Sequence, residues 1–114
     1  MTDTKQYTFA QYQEAARKTA GAGGEGDSRL YIATLGLAGE AGEFANLVKK
    51  WKGHKHETSD DDLRDELGDI LWYMAEICSV CGLDLNEVAA QNVEKLKKRY
   101  PEGFSVERSR NRTE

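Results

Sequence analysis

The chain holds 114 residues with a formal charge of −4, 32% charged and 39% apolar, about one domain's worth of polypeptide. No block of like charge forms a nucleic-acid-binding arm, and no run approaches the roughly eighteen apolar residues of a membrane span. The opening "MTDTKQYTF" lacks the basic and apolar regions of a signal peptide, so a cytoplasmic protein is expected, with Cys78 and Cys81 reduced. A helical chain this short buries little of its surface alone, so self-association is expected as well.

Apolar residues recur at three and four, and Pro101 is the only proline, which predicts helices throughout. Thr8 followed by Gln11 is a capping-box pattern opening a helix over about Phe9–Thr19. "GAGGEGD" carries four glycines in seven residues and forms a loop. Ser28 or Asp27 caps a second helix, about Arg29–Lys52, that ends at Gly53. After "GHKHETSD", Ser59 or Asp60 caps a third helix whose first turn gathers Asp61 and Asp62 where the helix dipole favours negative charge; it ends near Gly82. Asp84 with Glu87 opens a fourth, Leu85–Tyr100, stopped by Pro101. The polar tail 105–114 reads as irregular. The expectation is one all-α domain over 1–114, with its core at about 28–104, built as a four-helix antiparallel bundle.

Acidic residues make up 20 of the 114, so acid pairs spaced three apart arise by chance. Most such pairs here sit at caps or first turns, but Glu40/Glu43 and Glu66/Asp69 do not. At about 100° per residue, Leu30, Ala33, Leu37, Phe44, Leu47, Val48 and Trp51 fall within roughly 80° of Glu40, which makes it central to an apolar stripe with Glu43 at the edge. On the third helix the stripe is Leu63, Leu67, Ile70, Met74, Ile77 and Cys81, and Glu66, Asp69 and Tyr73 border it. Four inward carboxylates repel one another and resist burial unless a cation holds them. An all-oxygen donor set suits Mg²⁺, with Mn²⁺ as a substitute, and Mg²⁺ is commonly shared with substrate phosphates. The competing reading pairs the acids with Lys49, Lys50, Lys52 or Arg64. Gly36, Gly39 and Gly42 each lower helix stability by roughly 1 kcal/mol relative to alanine; either a helix-packing groove or the close approach of a ligand explains them.

"GLAGEAGEF", "RDELGDILWY" and "NVEKLKKRYPEGF", in this order, closely resemble the MazG-type all-α nucleoside triphosphate pyrophosphohydrolases, from about Leu30 to Phe104. The family's ExxE and ExxD motifs match Glu40-Ala-Gly-Glu43 and Glu66-Leu-Gly-Asp69, with 22 residues between the pairs. The resemblance implies Mg²⁺-dependent hydrolysis of nucleoside triphosphates between the α and β phosphates. Glu40, Glu43, Glu66 and Asp69 would be the metal ligands, Glu40 and Glu43 would be catalytic, and Glu40 would orient or deprotonate the attacking water. It also implies phosphate contacts from Asn92, Lys95 and Arg99 and base contacts from Trp51 and Tyr73. The self-association expected from the chain's size would give a homo-oligomer, a dimer or a tetramer of two dimers. The alternatives are a phosphoribosyl-ATP pyrophosphohydrolase-like enzyme and a non-catalytic helical interaction module.

"CSVC" has zinc-site spacing, but no second such pair exists and the two thiols sit within a helical pattern, so they read as core residues. His54 and His56 fall in the polar link between the acid pairs.

Overall fold

A computed structural model describes residues 4–21 and 27–111. Among these, five α-helices form: α1 (Phe9–Arg17), α2 (Asp27–Val48), α3 (Asp60–Val80), α4 (Leu85–Arg99) and α5 (Val106–Arg110). A π-helical turn, Lys49–Gly53, prolongs α2. The all-helical class matches the expectation. The fifth helix corrects the reading of the tail, because Ser105 accepts a bond from the Arg108 N–H and caps it. The start of α2 abuts residues 22–26, so the glycine-rich loop lies largely outside the described residues.

Local signals fix most boundaries. The Thr8/Gln11 capping box closes with bonds of 2.8 and 3.0 Å. Ser59, rather than Asp60, caps α3, in a reciprocal box with Asp62. α3 ends in a Schellman arrangement: Gly82 takes φ +71°, Leu83 N–H bonds the Cys78 carbonyl and Gly82 N–H bonds that of Ser79. Asp84 caps α4 through the Asn86 N–H. At the other end of α4, Arg108 Nε donates to the Arg99 carbonyl at 3.0 Å, so α5 folds back over the exposed carbonyls.

α3 is the hub, with α2 on one side and α1 on another. Arg29 pairs with Glu76, Gly36 with Tyr73, and Glu40 with Glu66 and Asp69; the partners step in opposite directions, so α2 and α3 run antiparallel. α1 packs through Ala16 against Ala75, Cys78 and Leu85, with Tyr12, Leu71 and Trp72 around them. This arrangement corrects two sequence expectations. The α3 stripe does not become the core: Leu67 is 49% and Met74 39% exposed, because α1 and α2 occupy other sides of the helix. Of the two thiols Cys78 is buried and Cys81 exposed.

Gln13 ties α1 to the α3–α4 corner. Its Nε2 donates to Ser79 Oγ (3.1 Å) and the Leu83 carbonyl (2.9 Å), while its Oε1 accepts from the Leu85 N–H (2.8 Å), a donor that no intrahelical acceptor serves. Gln13→Ala is expected to lower stability by about 1–3 kcal/mol, read as a urea midpoint shift at unchanged slope; a shift below about 0.5 kcal/mol would show the clamp to be ornamental.

Candidate metal centre

The antiparallel pairing of α2 and α3 brings Glu40, Glu66 and Asp69 together, each offering an oxygen within 4.8 Å of the others. Glu66 and Asp69 share one side of α3 because residues three apart lie on one face, and Glu40 meets them from α2. Glu43, one turn further along α2, is exposed and outside this group, although its charge still reaches Glu66.

The electrostatics show an uncompensated cluster. Glu66 Oε2 is shielded from water and has no hydrogen-bond partner. Desolvation, then the charges of Glu40, Asp69, Glu43 and Asp65, raise the Glu66 pKa above its ordinary value. No arginine or lysine pairs with Glu40, Glu66 or Asp69 among the described residues; Arg64, a candidate partner on sequence grounds, bonds Asp61 at 2.7 Å instead. An orphaned carboxylate oxygen beside two others fits a hard divalent cation, for which ligand oxygens at about 2.1 Å from Mg²⁺ are the norm.

Tyr73 stands one turn beyond Asp69 and lies against Gly36, where an added Cβ would run into its ring. This close approach explains Gly36; Gly39 and Gly42 have open space beside them. Trp72 meets Tyr73 edge-on, centroids 5.1 Å apart, and donates from Nε1 to Thr19 Oγ1 at 2.7 Å. Next to Tyr73, a cavity of about 140 Å³ is lined by Arg29, Ile32, Ala33, Trp72, Tyr73 and Glu76 together with Gly21. Arg29 Nη2 contacts both Glu76 oxygens, at 2.9 and 3.0 Å, and closes that end.

The remaining candidates lie apart. Trp51 sits on the π turn with Lys52 Nζ 4.0 Å from its ring centroid, and lines a cleft of about 450 Å³ with Lys55 and His56. Eleven residues separate it from Glu40, about 16 Å of helical rise. Asn92 and Lys95 line an open cleft on α4 with Gln91, Glu94 and Lys98, and Arg99 is half-buried at the end of that helix. Tyr12 was missed by sequence reasoning: burial and the charge of Asp69 both raise its phenol pKa, which places an α1 side chain near the acids. Its capping-box helix gave no hint of that partner, 57 positions away.

An all-helical fold that converges carboxylates from two antiparallel helices defines a class of candidate divalent-cation proteins. A family model described as the MazG nucleotide pyrophosphohydrolase domain matches residues 31–104. The chain belongs to this family. It is also 41% identical over 100 residues to the "Gene 37 protein" of Mycobacterium phage L5, covering 81% of this chain and 88% of that one. No solved structure matches the chain significantly. None of the described helices is long and apolar enough to cross a membrane.

Proposed function

We propose that the protein is a Mg²⁺-dependent hydrolase that cleaves (deoxy)nucleoside triphosphates between the α and β phosphates, releasing monophosphate and pyrophosphate, in cytoplasmic nucleotide-pool cleaning. The observation that carries this reading is the convergence of Glu40, Glu66 and Asp69 around a shielded, unpartnered Glu66 oxygen with no cationic side chain among the described residues paired to them. Membership of the MazG family supports the nucleotide substrate.

Glu40, Glu66 and Asp69 would hold the cation, with Glu43 at the rim. A bound Mg²⁺ would neutralise phosphate charge and acidify a water. Glu40, on the α2 side, would orient the attacking water and take up its proton. Tyr73, one turn from Asp69, offers its ring to the base. Trp51 stands on the other side of the acids and serves a base only if the triphosphate runs towards the π turn. Asn92, Lys95 and Arg99 on α4 supply donors and positive charge for phosphate oxygens. The active form is a homo-oligomer.

The test is incubation with Mg²⁺ and a panel of ribo- and deoxyribonucleoside triphosphates, separating pyrophosphate from phosphate. Monophosphate with pyrophosphate is expected, and Glu40→Gln is expected to abolish it. Release of phosphate and diphosphate would place the cleaved bond elsewhere. Turnover of phosphoribosyl-ATP alone would favour the related pyrophosphohydrolase. No turnover, with unchanged stability in chelator, would favour a helical interaction module.

A further inference from the structure

The groove between α2 and α3 continues past the acids. Glu66, Asp69, Tyr73 and Glu76 fall within about 80° of one another round α3, and Glu40, Gly36, Ala33 and Arg29 within about 60° round α2. Two facing stripes therefore run from three carboxylates, across Tyr73 on Gly36, to the ion pair of Arg29 with Glu76. The cavity of about 140 Å³ lies between Tyr73 and that pair. It opens one helical turn from Asp69 and ends two turns away at Glu76, about 10 Å of rise along α3. Tyr73 thus stands where a sugar would join cation-bound phosphate to a base.

The cavity has the size of one ring. A cavity of about 150 Å³ accepts a single benzene molecule, and this one, at about 140 Å³, is of that order. Its walls suit a flat heterocycle: Trp72 and Tyr73 are aromatic, Ile32 is aliphatic, and Ala33, 1% exposed, keeps the hollow open through its small side chain. A pyrimidine fits this space, and the fused second ring of a purine overfills it.

The polar end has a direction. The Glu76 side chain is 11% exposed and that of Arg29 32%, so the carboxylate is the deeper partner. Arg29 holds both Glu76 oxygens through Nη2 alone, and among the described residues its Nε and Nη1 make no hydrogen bond. A pyrimidine entering with its sugar toward Tyr73 turns position 4 inward, with position 3 beside it. In cytosine position 4 is an amine that donates and position 3 a nitrogen that accepts; in uracil and thymine both polarities are reversed. A deep carboxylate, which only accepts, with a shallower guanidinium, which only donates, matches cytosine and opposes the other two.

We propose that this cavity receives the base of the nucleotide as a single pyrimidine ring, and that Glu76 and Arg29 read its edge and select cytosine. The inference rests on the hydrolase reading above and names its substrate class, cytidine or deoxycytidine triphosphate. Glu76 accepts from the exocyclic amine and Arg29 donates to the ring nitrogen, while each keeps its bond to the other. The pair then both ties α2 to α3 and discriminates between bases.

The experiment is steady-state kcat/KM with Mg²⁺ for the deoxynucleoside triphosphates of cytosine, thymine, uracil, adenine and guanine, on the full chain and on Glu76→Gln, with calorimetric binding of the matching monophosphates. Cytosine is expected to lead every other base by on the order of 10–100-fold. Glu76→Gln, whose amide offers either a donor or an acceptor to the base, is expected to bring cytosine and uracil within about threefold of each other while the purines stay poor. A purine turned over as fast as cytosine would overturn the proposal, and so would equal rates for cytosine and uracil in wild type. One common loss across all bases in Glu76→Gln would show the ion pair to be structural only. If no triphosphate is cleaved, the hydrolase reading fails and the monophosphates decide the cavity alone: cytosine-selective binding upholds it, and binding that is absent or blind to the base overturns it.

Discussion

Glu66→Gln is expected to produce a chain that melts higher than wild type in chelator and no longer responds to Mg²⁺. The carboxylate it removes is desolvated and crowded by Glu40, Asp69, Glu43 and Asp65, so its folded-state pKa lies above the ordinary value of 4.5. A raised carboxylate pKa means the unfolded chain gives up that proton more readily. The stability linked to Glu66 is therefore full below the ordinary glutamate value and is lost as the pH rises through the raised one. The advantage of Glu66→Gln over metal-free wild type should accordingly be present at neutral pH and shrink on acidification toward the ordinary value. With Mg²⁺ the order reverses: saturating metal is expected to raise the wild-type melting temperature by on the order of 10 °C. In the variant, Mg²⁺ affinity and pyrophosphate release should fall on the order of 100-fold or more. Thermal melts across pH, with and without Mg²⁺, decide it. A variant that is less stable than wild type in chelator would show that Glu66 is paired within the fold instead of being reserved for a cation.

The second large effect is expected at Gly36. Its Cβ position is filled by the Tyr73 ring, which is itself held edge-on by Trp72. Gly36→Val must push that ring out of place, at a cost of about 1–3 kcal/mol and a drop of roughly 5–15 °C in melting temperature. In a Tyr73→Ala background the same change should cost little, because the obstructing ring is gone. Equal costs in the two backgrounds, measured by urea unfolding of all four members of the cycle, would show that Gly36 serves something other than Tyr73.

Much of this architecture is written locally. Thr8 with Gln11 and Ser59 with Asp62 state their helix starts within four residues, and a helical wheel suffices to set Glu40 facing Glu66 and Asp69. What escaped the sequence depends on partners distant along the chain or on small departures from ideal helix. Gln13 reads as an ordinary helix residue until Ser79, Leu83 and Leu85 surround it. Ser105 sits in a polar tail whose composition hides its role as a cap. The α3 stripe containing Leu67 and Met74 was legible as apolar, but which of its sides α1 and α2 would occupy was not, since periodicity gives a helix its faces without naming their neighbours. Glu43 shares its motif with Glu40, yet the 100° step per residue turns it to the exposed edge.

The π turn at Lys49–Gly53 bears on how the two acid motifs are related. A π turn accommodates one residue more than an α turn, so it absorbs a change of chain length without rotating the helix before it. The 22 residues between Glu43 and Glu66 are thus slack rather than a ruler. What brings Glu40 to Glu66 and Asp69 is the lateral register of α2 on α3, fixed upstream by Gly36 on Tyr73 and Arg29 on Glu76.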